Sequence, residues 1–127
     1  MKIRKHLSAS GLFSVIRQGF AKVKETRAQN AVITVKDALM SGFGMFSLKD
    51  SSLLNFDNRR QDEKDGNLKR IYEIERVPSD SQMRTILDEV EPEELLPTYK
   101  DVFQQAQRGK VLEEMVFLGG YLLSIDG

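Results

Sequence analysis

Asp126 is the side chain of this sequence best placed for metal chemistry. It follows an apolar run, FLGGYLLSI at 117–125, in a pattern that favours a buried strand. A carboxylate at the end of such a strand is costly to bury without a partner, and a divalent cation is one such partner. Two-metal phosphoryl transfer uses carboxylates in this way, although one strand supplies only one or two of them. Asp126 is therefore a candidate catalytic residue and metal ligand. The alternative is a turn residue, because Asp-Gly is also typical of turns.

The other residue types that support catalysis give weaker signals. The acidic pairs Glu93/Glu94 and Glu113/Glu114 do not converge easily, because neighbouring helical residues point about 100° apart, and they read as solvated faces. The chain has no cysteine, which excludes disulfides, thiolate metal sites and thiol catalysis. His6 is the only histidine, so it has no His or Cys partner for a metal site.

The first 33 residues form a basic segment. Seven of the chain's 19 basic residues lie there, against one of its 19 acidic residues, Glu25. This asymmetry is typical of an arm that faces nucleic acid, and a solvated basic helix explains it as well. The candidate phosphate contacts are Lys2, Arg4, Lys5, Arg17, Lys22, Lys24 and Arg27.

In most of the chain, apolar residues recur at the spacing of an α-helix, so we expect helices to position these side chains. Ser8 or Ser10 is the predicted N-cap of a first helix, Thr34 that of a second, and Ser79 or Asp80 that of a helix between Pro78 and Pro92. The apolar stripes of these three helices are Leu12, Val15, Ile16, Phe20 and Val23; Val35, Ala38, Leu39 and Phe43; and Met83, Ile86, Leu87 and Val90.

The rest of the chain is less regular. Residues 58–67 contain no apolar side chain, which predicts an exposed loop or a frayed helix end. A short helix is predicted next, with Leu68, Ile71, Tyr72 and Ile74 near one face. A last helix is predicted to run to Gly109, with Thr98 as its cap and Val102 and Phe103 facing inward. Residues 120–126 are the best strand candidate, although a buried helix segment has the same pattern.

One part of the sequence resembles a known family. Over RVPSDSQMRTILDEVEPEELLPTYKDVFQ, at 76–104, and the closing LLSIDG, the chain resembles insertion-sequence transposases of the DDE class. The order of parts is also similar: a helical region, a Pro-Ser-Asp-x-x-Met-Arg segment, and a hydrophobic strand ending in Asp-Gly. The resemblance covers roughly 35–127. In that family this Asp is the first of three acidic residues on a ribonuclease-H-like core that binds two Mg²⁺ or Mn²⁺ ions and cuts and rejoins DNA at transposon ends.

The resemblance implies a role for Asp126 alone, because the second Asp and the Glu of the triad have no counterpart in this sequence. It implies a mainly α fold that ends in the first β-strand of an incomplete ribonuclease-H-like core. The expected parts are a basic arm and helix at 1–33, a helical domain at 34–114 and the start of a truncated catalytic domain at 115–127. The last strand is expected either docked on the helices or exposed.

The functional expectation is a truncated transposase that binds DNA at transposon ends and is inactive alone. Mg²⁺ is the cofactor of the full-length family, and tight binding to this fragment is not expected. The chain itself or full-length transposase is a further expected partner. No stretch is long and apolar enough to span a membrane, and a cytoplasmic location is expected.

Two other function classes are compatible with the sequence. A small helical protein-interaction module would use the acidic helices at 80–96 and 98–108 and leave the basic arm solvated. The hypothesis of a complete small enzyme has the least support, because the sequence shows no set of residues that could act together as nucleophile, acid and base. DNA binding that falls steeply with added salt would favour the transposase fragment. Salt-insensitive binding to a protein would favour the interaction module.

Overall fold

The computed structural model of the chain describes residues 7–28, 30–62 and 64–125. Helices dominate these residues, and their only sheet is one short antiparallel hairpin, so the predicted mainly α class with a C-terminal β element is confirmed. The α-helices are α1 (Ala9–Phe20), α2 (Val35–Ser47), α3 (Leu53–Gln61), α4 (Asn67–Arg70), α5 (Asp80–Leu87) and α6 (Leu96–Arg108). The strands are β1 (Val116–Phe117) and β2 (Gly120–Tyr121), and two 3₁₀ helices occupy Pro92–Leu95 and Glu113–Met115.

Three helices begin at the predicted side-chain caps. Ser8 accepts a hydrogen bond from the backbone N–H of Gly11, and Thr34 accepts one from Asp37 at 3.0 Å. Ser79 and Gln82 form a reciprocal capping box at the start of α5, in which each side chain accepts from the other residue's backbone N–H. These caps satisfy donors that the first helical turn leaves without an intrahelical acceptor.

A single apolar core joins α1 to the later helices. Phe13 on α1 stacks on Tyr72 with ring centroids 5.2 Å apart, and the edge of Phe43 on α2 completes this aromatic group. The buried apolar residues are Phe20, Val35, Ala38, Leu39, Met40, Phe56, Leu68, Tyr72, Ile74, Met83 and Ile86. The predicted stripes of α2 and α5 belong to this core or pack against it in full, whereas the α1 stripe does so through Ile16, Phe20 and Val23 but not through Leu12 and Val15.

Asp37 is a buried carboxylate that fixes a distant segment to α2. Its side chain accepts hydrogen bonds from the backbone N–H groups of Glu75, at 3.3 Å, and Arg76, at 3.1 Å. Only 2% of Asp37 is exposed, so these bonds replace the water that the charge gives up. They hold residues 75–76 against the first turn of α2 and thereby fix the backbone from which the Arg76 side chain projects.

Helix α6 differs from its prediction at two residues. It begins after Leu95, directly from the preceding 3₁₀ helix and with Pro97 in its first turn, so Thr98 lies inside the helix and the predicted cap is wrong. Thr98 is buried against Gly19 of α1, where a Cβ on the glycine would lie 2.8 Å from Thr98 Cβ. Phe103 is 47% exposed and meets Tyr121 edge-on, so its predicted inward orientation is also wrong.

The short helix predicted near residue 70 and the loop before it also differ in detail. Helix α4 ends at Arg70, and Ile71 is exposed, whereas Tyr72 and Ile74 are buried in the irregular segment that follows. Helix α3 extends to Gln61, so of the two alternatives predicted for 58–67 its first residues are a helix end rather than a loop.

The C-terminal apolar run forms an exposed hairpin, so the prediction of a buried strand is wrong for the described residues up to 125. Leu118 and Gly119 both have positive φ, of 49° and 81°, as a two-residue type I′ turn requires, and they reverse the chain after β1. Strand β2 ends at Tyr121, and residues 122–125 have no regular structure. Leu122 is 84% exposed. Of the two expected arrangements of this run, the structure has the exposed one.

The close approach of α1 and α6 generates the first prediction. Gly19→Ala would drive a methyl group into Thr98, and such overpacking destabilises a protein by about 1–3 kcal/mol. Gly42→Ala on α2 is the matched control, because its Cβ would meet Leu87 Cδ1 at an ordinary 3.7 Å. That change should stabilise the fold by about 0.5–1 kcal/mol through helix propensity. Urea unfolding followed by circular dichroism measures both changes, and equal signs for the two variants would contradict the packing described for α1 and α6.

The second prediction concerns the buried carboxylate. Asp37→Ala leaves the N–H groups of Glu75 and Arg76 without their acceptor and should lower the free energy of unfolding by about 2–4 kcal/mol. Asp101→Ala, on the exposed face of α6, removes the same charge and should change stability by less than about 0.5 kcal/mol. Similar urea midpoints for the two variants would rule out the anchoring role of Asp37.

Candidate nucleic-acid interface

Four of the seven predicted DNA contacts fall within the described residues. Arg17 lies on α1, and Lys22, Lys24 and Arg27 lie in the segment that leaves it. Lys2, Arg4 and Lys5 lie outside the described residues, as does Asp126, the predicted catalytic residue and metal ligand.

Arg17 is engaged within the protein. Its Nη1 lies 2.8 Å from Glu73 Oε2, and only 20% of its side chain is exposed. The Nε atom of Arg17 is buried and has no acceptor among the described residues. Arg17 therefore offers less of its guanidinium to an external phosphate than a fully exposed arginine would.

Arg27 is held by the only acidic residue of the basic segment. Its Nε and Nη2 each lie 2.9 Å from one carboxylate oxygen of Glu25, and Nη2 also donates to the Ile33 carbonyl at 2.6 Å. Glu25 Oε2 accepts a further hydrogen bond from the N–H of Val35, the first residue of α2. The hydrogen bonds from the Arg27 side chain and from the Val35 backbone lower the pKa of Glu25, although its partial burial opposes them.

Lys22 and Lys24 are both exposed, but carboxylates lie close to this part of the chain. The backbone N–H of Lys24 donates to Glu94 at 3.0 Å, and the Thr26 hydroxyl donates to Glu89 at 3.0 Å. Each carboxylate offsets part of the local positive potential, because opposite charges a few ångströms apart attract even in water. The positive potential around Lys22 and Lys24 is therefore lower in the fold than the sequence of this part of the chain suggests.

A second group of cations was missed by the sequence prediction. Arg60, Lys69 and Arg76 line one groove, which we call the basic groove, with a volume of about 370 Å³. Its other lining residues are Val32, Ile33, Glu75 and Val77. Arg27 does not line this groove, but its Nη2 donates to the carbonyl of Ile33, which does.

The cations of the basic groove differ in how far they are neutralised. Arg60 pairs with Asp57 at 2.8 Å, whereas Lys69 and Arg76 are exposed and form no ion pair with the residues that the structure describes. Within that same set, Lys69 and Arg76 are thus the groove cations best able to meet a phosphate.

Three separate elements bring this groove together. Arg60 projects from the last turn of α3, where its neighbour Arg59 turns away to bind Asp50 and Asp65. Lys69 belongs to α4, and the hydrogen bonds from Asp37 hold the backbone at Arg76. In the sequence these cations are spread over 17 positions, so the only available signal was the recurrence of NRR, LKR and ER at 58–60, 68–70 and 75–76.

The part of the chain that the structure describes has no preformed metal centre. Within 7–28, 30–62 and 64–125, no group of three His, Asp or Glu side chains is placed to hold a metal ion. Among the helices of these ranges, none has the length and apolar character needed to cross a membrane.

Comparisons of the chain with protein-family models, with curated proteins and with solved structures found no match.

The third prediction follows from the contacts of Glu25. Its lowered pKa means that the ionised carboxylate stabilises the fold at neutral pH, and that this contribution is lost as the pH falls through the folded-state pKa. Glu25→Gln should therefore lower the urea midpoint at neutral pH, and its difference from the parent chain should shrink towards about pH 3. Glu114→Gln, on an exposed carboxylate, should leave the midpoint unchanged at both pH values. A difference that grows on acidification would refute the proposed link between Glu25 and Arg27.

Proposed function

We propose that this chain is the DNA-binding N-terminal part of a DDE-class transposase, and that it lacks the complete metal-dependent site for strand cleavage and transfer. The observation that carries the DNA-binding part of the proposal is the basic groove, in which Lys69 and Arg76 are exposed beside Arg60. Cations of this kind bind phosphates without reading the base sequence. A cytoplasmic location, transposon ends as the DNA and association with full-length transposase belong to the same proposal.

The family part of the proposal is supported by the resemblance at 76–104 and at the closing LLSIDG. In this chain the Pro-Ser-Asp-x-x-Met-Arg segment begins α5, with Ser79 as its cap and Met83 buried in the core. Asp126 would be the one triad carboxylate that this sequence retains. A single carboxylate cannot organise two Mg²⁺ ions against a DNA phosphate, so we expect no strand cleavage by this chain alone.

The fourth prediction tests the groove. The double variant Lys69→Gln/Arg76→Gln removes two exposed cations and should weaken binding to duplex DNA of mixed sequence. The slope of log affinity against log salt should fall by about 2, because each lost phosphate contact contributes about 0.9. Fluorescence anisotropy of a labelled duplex over a salt series measures both quantities.

A charge-matched control separates the groove from net charge. Arg84→Gln/Lys100→Gln removes two exposed cations from α5 and α6, which do not line the basic groove. Its salt slope should stay close to that of the parent chain. Equal losses in the two double variants would reject the groove as the binding surface, and the absence of DNA binding by the parent chain would reject the DNA-binding function itself.

The protein-interaction module remains a second candidate because of one specific observation on α6. Leu96, Tyr99 and Phe103 recur at helical spacing and are each 47–60% exposed, so they form an apolar stripe on the outer side of the helix. Salt-insensitive binding of a protein that is lost in Tyr99→Ser, with no binding to DNA, would favour this module over the transposase fragment.

A further inference from the structure

A second, larger cavity lies between α1 and the segment that follows α4. We call it the α1–α4 cavity, and its volume is about 610 Å³. It is lined by Ala9, Ser10, Phe13, Ser14, Arg17, Arg70, Ile71 and Glu73. Its size lies within the range of about 300–1,000 Å³ that is usual for small-molecule sites.

The lining residues provide two kinds of surface. Arg17 lines the cavity from α1 and Arg70 lines it from the end of α4, where the Arg70 side chain folds back beside Gly66. Two arginines at one cavity suit the oxygens of a phosphate better than a single cation does. The Ser14 hydroxyl accepts from Gln18 at 3.4 Å, so its own proton can be donated to a ligand oxygen. Phe13 and Ile71 supply an apolar wall.

The ion pair between Arg17 and Glu73 is the feature of this cavity that points to an anionic ligand. Glu73 has a φ of 51°, a left-handed conformation that is unfavourable for a residue other than glycine. In this conformation its carboxylate reaches Arg17 Nη1, while Arg17 Nε has no acceptor in the described part of the chain. Because Nε is buried, an anion in the cavity would be bound through the Nη groups of Arg17, where it would compete with Glu73.

We infer that the α1–α4 cavity binds a nucleotide, with its phosphate on Arg17 and Arg70 and its base against Phe13 and Ile71. The cavity is far larger than a bare phosphate requires, and the apolar wall favours a ligand that carries a flat ring next to its phosphate. The nucleotide is either the phosphorylated end of a DNA strand or a free mononucleotide. The first of these sources rests on the proposed function, and the second does not.

The fifth prediction tests this site with three probes. They are a labelled thymidine trinucleotide with a 5′-phosphate, the same trinucleotide without the phosphate, and thymidine 5′-monophosphate as competitor. Anisotropy should show binding of the phosphorylated trinucleotide and much weaker binding of the unphosphorylated one. Arg17→Gln and Arg70→Gln should each weaken the phosphorylated probe about tenfold or more, as expected for a lost hydrogen bond to a charged group.

Two further variants make this result specific. Glu73→Gln keeps the shape of the side chain but removes the competing charge, so it should tighten binding of the phosphorylated probe. Arg84→Gln removes an exposed cation on α5, outside the cavity, and should leave binding unchanged. Arg70 is itself exposed, so the loss seen in Arg70→Gln cannot be ascribed to unfolding when its circular dichroism matches the parent chain.

The outcomes separate this inference from the proposed function. Competition by the monophosphate at the same concentration as the trinucleotide would support the site and assign it to a free nucleotide, even if duplex DNA does not bind to the basic groove. Preference for the trinucleotide would support the site and assign it to a DNA end. Binding that Arg17→Gln and Arg70→Gln leave unchanged, or that does not require the 5′-phosphate, would overturn the inference, even if the basic groove binds duplex DNA.

Discussion

Hydrogen bonds from the backbone of Glu75 and Arg76 to the buried carboxylate of Asp37 tie the segment between α4 and α5 to α2. They connect α2 to a segment almost forty residues later that has little regular structure of its own. A charge with 2% exposure is stable there only because two backbone donors replace its water. The same residue lies in the first turn of α2, where the positive end of the helix also favours a carboxylate.

Ion pairs inside the fold decide which cations remain for a partner. Arg17, Arg27 and Arg60 each pair with a carboxylate on the protein, and Arg59 pairs with two. The chain has equal numbers of acidic and basic residues, so its net charge gives little long-range attraction to DNA. Among the described residues, unpaired cations such as Lys69 and Arg76 can therefore meet a polyanion directly, whereas Arg17 and Arg27 would first have to share or give up a carboxylate partner.

Local signals in the sequence predicted most of the helical structure. The caps at Ser8, Thr34 and Ser79 were predictable because a hydroxyl and the donors it satisfies lie within three residues. Thr98 was misassigned by the same logic, since its burial against Gly19 comes from a contact between helices that are distant in sequence. Exposure of the C-terminal run was one of its two expected arrangements, but the hairpin was missed because its turn places Leu118, a residue that rarely adopts positive φ, beside Gly119.

The candidate sites were less predictable than the fold, for a physical reason visible at 70–76. Tyr72 and Ile74 are buried in the core, so the exposed residues of this segment are displayed on its outer sides. Arg70 and Glu73 line the α1–α4 cavity, and Arg76 lines the basic groove. No periodic pattern marks this arrangement, because it is set by two core anchors and by the hydrogen bonds to Asp37 rather than by a helix or strand. Both candidate sites consequently share one support, and a change that releases residues 75–76 from α2 should disturb the basic groove directly and the α1–α4 cavity through the same short segment.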